Sequence, residues 1–193
     1  MQHKLQSESI GGNIASRYGR HANLPAPSAW VARYAAAIPR RGRVLDLACG
    51  SGRHLALLAD LGYSVAGVDR DISRAAHLSE LANVELLEYD LESDRWPFAT
   101  ASFAGIVVSN YLHRPLLPCL ADSLCNGGIL IYTTFASGNE RFGRPRNPAF
   151  LLRPGELPAV FGMLETLAFE DVTTRKPNPA VRQHYVGRKK PAR

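Results

Sequence analysis

Residues 44–62 read VLDLACGSGRHLALLADLG. An apolar run carries one acid, Asp46, and ends in two glycines one residue apart, Gly50 and Gly52, before a helical pattern closed by Gly62. A strand, a glycine turn and a helix in that order bring bare backbone up to a ligand. Glycine takes angles closed to other residues and presents no Cβ. Two common ligand classes fit this turn poorly. A dinucleotide fingerprint, G-x-G-x-x-G, has a third glycine where this chain has Leu55. A Walker loop needs G-x-x-x-x-G-K followed by Ser or Thr, and that pattern is absent here. The ligand is therefore expected to be held otherwise than by phosphates.

Working outward, strand and helix patterns alternate. RVLDLA (43–48), YSVAGVD (63–69), VELLEYD (84–90), FAGIVVSN (103–110) and GGILIYTTF (127–135) read as strands. RHLALLADL (53–61), ISRAAHLSEL (72–81) and LLPCLADSLC (116–125) read as helices between them. Before the first strand, SAWVARYAAAI (28–38) reads as a helix with Ser28 as its cap. Strands linked by crossover helices are parallel, which predicts an α/β three-layer sandwich. Runs such as VLDLA and GILIY are apolar on both faces, as a covered parallel sheet requires. After residue 152 the pattern changes. RPGELPAVFGM (153–163) suggests a last helix, and LETLAFEDVTT and VRQHYVGRK are extended runs joined by the turn RKPNPA, an antiparallel hairpin completing the sheet.

In such a sheet ligands bind at the carboxyl ends of the strands, where strand order reverses. Three acids end adjacent strands there: Asp46, Asp69 and Asp90. Asp69 can accept both hydroxyls of a ribose. Asp90 can accept from an adenine amino group, while the Leu91 N–H offers a donor to the ring. Three carboxylates around one crevice suit a cationic, phosphate-free nucleoside. The competing role for Asp69 and Asp71 is to cap the helix that follows them.

VLDLACGSGRH, VAGVDRD, LLEYDLES and WPFATASFAGIVVSNYLH together closely resemble class I S-adenosylmethionine-dependent methyltransferases, over about residues 43–135. The resemblance implies a Rossmann-like, seven-stranded, mainly parallel sheet with an antiparallel last strand, and S-adenosylmethionine as cofactor. It also implies roles. Asp46 would orient the glycine loop and help place the methionine amino group. Ala48 and Gly50 would offer backbone groups to the methionine part, with Gly52 in the same loop. Asp69 would bind ribose, Arg70 would lie beside the adenine, and Asp90 and Leu91 would read the adenine edge. Ser109 and Asn110 would line the methyl side.

The catalytic group is not read from the sequence. The segment after the fourth strand, Asn110-Tyr-Leu-His113, is not the N/D-P-P-Y/F signature of enzymes that methylate amino groups of nucleobases or glutamine. His113 is a candidate base, with a helix-start histidine as the alternative, and Tyr111 is a candidate wall of the acceptor pocket. Tyr18 and Arg20, ahead of the first strand, are candidates to cover the cofactor. In the long loop 136–157, Arg141, Arg144 and Arg146 can attract an anionic substrate or simply face water. Cys49, in the glycine turn, reads as a packing residue.

At 193 residues a single domain is expected, with 1–42 as a cover, 43–135 as the cofactor core and 136–193 as loop, helix and hairpin. Cys49, Cys119 and Cys125 have no metal spacing, which predicts no metal and a reduced, cytoplasmic setting. No run of about 18 apolar residues exists, so no membrane partner is expected. The formal charge is +6, and the basic residues crowd both ends. They form no stripe with interleaved aromatics, so nucleic acid is only weakly indicated. A small-molecule acceptor is expected. RNA or protein as acceptor, or a module that binds the cofactor and transfers nothing, are the alternatives.

Overall fold

The computed structural model describes residues 21, 23–93 and 95–191. Tyr18 and Arg20 lie outside the described residues. Seven strands form one sheet: β1 (Arg43–Leu47), β2 (Ser64–Asp69), β3 (Val84–Glu88), β4 (Phe103–Ser109), β5 (Leu124–Phe135), β6 (Leu164–Thr174) and β7 (Ala180–Lys189). Their order is β3-β2-β1-β4-β5-β7-β6. The first five run parallel, and β7 inserts antiparallel between β5 and β6. The expected α/β sandwich with an antiparallel last strand is what the chain forms.

Both faces of the central strands β1, β2, β4 and β5 are buried, and alternate residues of each serve opposite faces. Leu45, Leu47, Val68, Ile106, Val108 and Leu130 join one core; Val44, Val65, Val107, Ile129 and Ile131 join the other. Helices α1 (Ala29–Tyr34) and α2 (Arg53–Asp60) pack on the second face through Trp30, Val31 and Leu55–Ala59. Helices α3 (Leu117–Ser123) and α4 (Glu156–Val160) cover the first. The apolar runs on both faces of β1 and β4 are the sequence signature of this double cover.

Several boundaries differ from expectation, each for a local reason. Residues 73–80 wind as a 3₁₀ segment rather than an α-helix, with only Ala75 and Leu78 buried. A short segment with so little to bury gains little from α packing. The helix expected at 116–125 stops at Ser123, because Leu124 pairs with Phe103 and already belongs to β5. The helix expected at 153–163 shrinks to Glu156–Val160, since Gly155 at φ +66 starts it and Phe161 ends it. Ser28 makes no side-chain cap bond; its backbone N–H donates instead to His54 Nε2 at 3.0 Å. Among the described residues no helix is long and apolar enough to cross a membrane.

Leu55, where a dinucleotide site would place glycine, packs into a space made elsewhere. A Cβ on Gly67 of β2 would meet Leu55 Cδ1 at 2.2 Å. The glycine that lets α2 approach the sheet is therefore on the facing strand.

Candidate functional site

Strand order reverses between β1 and β4, whose neighbours run outward to β3 and β6. At this point the backbone is unusual. Ala48, after β1, has φ 53, and Asn110, after β4, has φ 58; both are left-handed without being glycine. Such residues cost on the order of 1–3 kcal/mol each and cluster where a site over-determines them.

The two motif glycines have different work. Gly50 has φ +56, and a Cβ there would meet nothing within 4 Å, so the turn faces open space at this residue. Gly52, at φ +79, caps α2, and its Cβ would strike Leu78 Cδ1 at 2.4 Å. Gly52 therefore lets the 3₁₀ segment pack against the helix start, while the Cβ side of Gly50 is unoccupied by protein.

Asp69 braces the turn. Its Oδ2 accepts the Gly50 N–H at 2.8 Å and its Oδ1 the Asp71 N–H at 3.3 Å. The capping role falls to Asp71, whose Oδ1 accepts the Ser73 N–H at 2.9 Å. Asp90 makes a turn of its own, its Oδ1 accepting the Glu92 N–H at 2.9 Å. A cavity of about 280 Å³ opens over these strand ends, lined by Ala48, Asp69, Arg70, Asp90, Leu91, Glu92 and Tyr111. Five of the residues expected to bind the cofactor thus line one cavity.

Asp46 lies beneath it, 1% exposed, with Oδ2 buried and lacking a hydrogen-bond partner. Burial pushes its carboxyl up to about 7; the Leu55 N–H and the Arg53 guanidinium pull the other way, and Asp69 adds to the rise. A carboxyl raised on folding destabilises the fold as it ionises. The cost is absent below its ordinary value of 3.8 and complete above about 7. Without ligand, Asp46→Asn is therefore expected to melt higher than wild type at pH 8 and to lose that advantage by pH 4. A gap that does not grow with pH contradicts this.

A second cavity, about 210 Å³, adjoins the first and shares Glu92 and Tyr111 with it. Its other walls are Asn110, Leu112, Thr134, Phe135, Pro145 and Phe150. The Tyr111 hydroxyl is buried without a partner. Burial, together with Glu92, Asp90 and Asp69 nearby, pushes its ionisation well above the ordinary phenol range, so it stays a neutral donor. Behind the wall, Arg182 of β7 donates to Asn110 Oδ1 at 2.7 Å and lies 3.9 Å over the Phe135 ring.

Arg114 lines neither cavity but anchors the segment leading to Phe150. It donates to both carboxylate oxygens of Glu156, at 2.6 and 2.9 Å, and to the carbonyls of Ala149 and Leu151, each at 2.8 Å. This pins the segment that carries Phe150. The pair is partly exposed, so Arg114→Ala is expected to cost about 1–2 kcal/mol rather than the several of a fully buried pair. The Arg114 guanidinium beside Glu156 holds that carboxyl below its ordinary range. Its contribution is full above the unfolded value and is lost as pH falls through the depressed folded value. Urea unfolding of the two proteins should thus converge in acid; a constant gap from pH 7 to pH 3 contradicts the pairing.

Other expected residues sit elsewhere. Ser109 lines neither cavity, and its Oγ accepts from Arg53 at 3.2 Å. Asn110 lines the second cavity rather than the first. His113 lines neither, and its carbonyl accepts the Leu116 N–H at the start of the helical segment. Arg141, Arg144 and Arg146 are exposed and line neither, whereas Pro145 and Phe150 of the same loop do line the second. Cys49 is buried beside Gly67, and burial drives its thiol far above the ordinary range, which leaves it unreactive packing. Sequence reading missed Glu92, Phe135, Phe150, Arg114 and Arg182. Only Glu92, two residues beyond Asp90, carried a local signal.

The family model of the methyltransferase domain matches residues 44–126. Over 40 residues the chain is 45% identical to YqeM of Bacillus subtilis (strain 168), a stretch that is 21% of this chain and 16% of that protein. Among solved structures it is similar to TehB from Haemophilus influenzae, with 22% identity, a TM-score of 0.73, and coverage of 90% of this chain and 66% of that one. It is also similar to Burkholderia thailandensis 1,6-didemethyltoxoflavin-N1-methyltransferase with bound 1,6-didemethyltoxoflavin and S-adenosylhomocysteine. There the identity is 20%, the TM-score 0.64, and the coverage 92% and 85%. The chain thus spans a small part of YqeM and just under two thirds of TehB. At these identities the structures establish a common fold.

Proposed function

We propose that this chain is a class I S-adenosylmethionine-dependent methyltransferase, in line with its match to the methyltransferase-domain model and its fold, and that it transfers a methyl group from that cofactor to a small molecule. The observation that carries this is the pair of adjoining cavities that share Tyr111 and Glu92. One is walled by acids at strand ends, as a cationic nucleoside needs; the other is walled by aromatic and apolar groups.

The residues present fit the cofactor. Gly50 leaves its Cβ direction empty, Asp69 and Asp90 each keep lone pairs beyond those given to the backbone, and Asp46 Oδ2 is a buried acceptor without a hydrogen-bond partner. Asp69 would hold the ribose, Asp90 and Leu91 the adenine edge, and the glycine turn the methionine end. When bound, the cofactor supplies an electrophilic methyl on a sulfonium. What this chain's residues then do is hold the acceptor in line, for which good placement is worth roughly 7–11 kcal/mol.

Support for a small acceptor comes from the second cavity, smaller than the roughly 300–1,000 Å³ of a drug-sized pocket. The Burkholderia neighbour holds a small heterocycle beside its cofactor product. RNA is less favoured because three basic residues of the C-terminal run are engaged by other groups of this chain. Arg182 holds Asn110, Arg188 pairs with Glu165, and Lys189 donates to the Ala121 and Asp122 carbonyls.

The test is formation of S-adenosylhomocysteine by the protein with S-adenosylmethionine and a cell extract split by size. Product from the low-mass fraction supports the reading. Product only from the RNA or protein fraction points to a macromolecular acceptor, and no product from any fraction leaves a cofactor-binding module.

A further inference from the structure

The second cavity combines flat apolar walls with a specific set of polar groups. Tyr111, Phe135 and Phe150 offer rings, with Phe150 48% exposed at the mouth, and Leu112 and Pro145 fill between them. A slot of this kind takes a flat ring.

Its polar groups can be sorted by what they can donate. Arginine has donors only, so the bond from Arg182 assigns Asn110 Oδ1 to the Arg182 side. The group Asn110 has left to offer is its NH₂, a donor. The left-handed backbone of Asn110 at φ 58 is held by the same bond, so the amide's direction is fixed rather than free. Tyr111 adds a second donor, a buried hydroxyl without a partner. Among the described residues, Glu92 is the one charged side chain lining the cavity, and it is an acceptor on the side shared with the first cavity. Arg141, Arg144 and Arg146 line neither cavity, and the Arg182 guanidinium, which does not line this one either, is engaged by Asn110 Oδ1 and the Phe135 ring.

We propose that this cavity binds a flat, uncharged ring carrying a hydrogen-bond acceptor atom beside an N–H or O–H, and that it rejects carboxylated or phosphorylated rings. The acceptor atom meets Asn110 NH₂ and Tyr111 OH, and the N–H or O–H meets the Glu92 carboxylate. An anionic group in its place would face Glu92 with like charge, and like-charge juxtaposition disfavours a wrong partner. The inference rests on the reading of the second cavity as the methyl acceptor's site.

The test uses the protein saturated with S-adenosylhomocysteine, its binding first measured by calorimetry. Two probes of similar size are then titrated by ligand-observed NMR: 2-pyridone, which is neutral with N–H beside C=O, and benzoate. The expected result is that 2-pyridone binds at least about tenfold more tightly than benzoate, a difference of about 1.4 kcal/mol. Glu92→Gln should shrink that ratio by strengthening benzoate, and Tyr111→Phe should weaken 2-pyridone. Equal or tighter benzoate binding to wild type, or binding of neither ring to the loaded protein, overturns the inference while leaving the methyltransferase reading in place. A folded protein that does not bind S-adenosylhomocysteine overturns both.

Discussion

Gly50→Val is expected to weaken S-adenosylhomocysteine binding by about 100-fold or more, roughly 2.7 kcal/mol, in a protein that still folds. The direction of the missing Cβ is open, and φ is +56, so in the proposed binding mode a valine would push its methyls towards the cofactor and strain the turn. Strain alone is separable from obstruction. Gly62, at φ +85, is equally left-handed, its Cβ direction is equally empty, and it closes α2 far from both cavities. Gly62→Val carries the same kind of backbone cost and should lower the melting temperature comparably while leaving binding unchanged. Calorimetry on both variants, with circular dichroism to confirm folding, decides it. Equal losses of affinity in the two would mean that Gly50 matters only for the backbone.

Asp69→Ala is expected to cost about 1.5–3 kcal/mol of cofactor affinity, on the order of 10–100-fold. Two contributions act together. The carboxylate offers charge-assisted acceptors to the ribose hydroxyls, and its Oδ2 holds the Gly50 N–H at 2.8 Å, so its loss also loosens the glycine turn. Asp69→Asn keeps one acceptor oxygen and should fall between wild type and alanine. Asp71→Ala removes the cap on Ser73 instead, and should cost stability without a comparable loss of binding. Unchanged affinity in a folded Asp69→Ala protein would show that the ribose is held elsewhere.

The contrast between Asp69 and Asp71 shows what the sequence could and could not say. Both acids precede a helical segment, and the pattern alone allowed either to cap it. Structure divides the work, because β2 ends at Asp69 and aims its carboxylate at Gly50, in the turn that follows the neighbouring β1. The first cavity was legible because each residue lining it ends or closely follows a parallel strand whose apolar run marks its own end, and Glu92 alone among them went unread. Ala48, Asp69, Asp90 and Leu91 follow directly from strand limits.

The second cavity was not legible in the same way. Phe135 is the last residue of β5, Phe150 belongs to a loop without periodicity, and Arg182 lies on an antiparallel strand 72 positions from Asn110. Their meeting depends on β7 inserting between β5 and β6, a register that no local motif records. Arg114 stands next to His113 in the sequence, yet its partners are 35 to 42 positions away. Helix lengths were misjudged for a related reason. Residues 73–80 and 156–160 have the residue types of longer α-helices, but tertiary packing offers them only a few buried positions.

The most direct test is a crystal structure of the protein with S-adenosylhomocysteine. Its ribose should lie on the Asp69 carboxylate, its adenine between Arg70 and Leu91, and its sulfur should face Tyr111 at the junction with the aromatic-walled cavity. A ligand found away from the Gly50 turn, or one whose sulfur points out of that junction into solvent, contradicts the account.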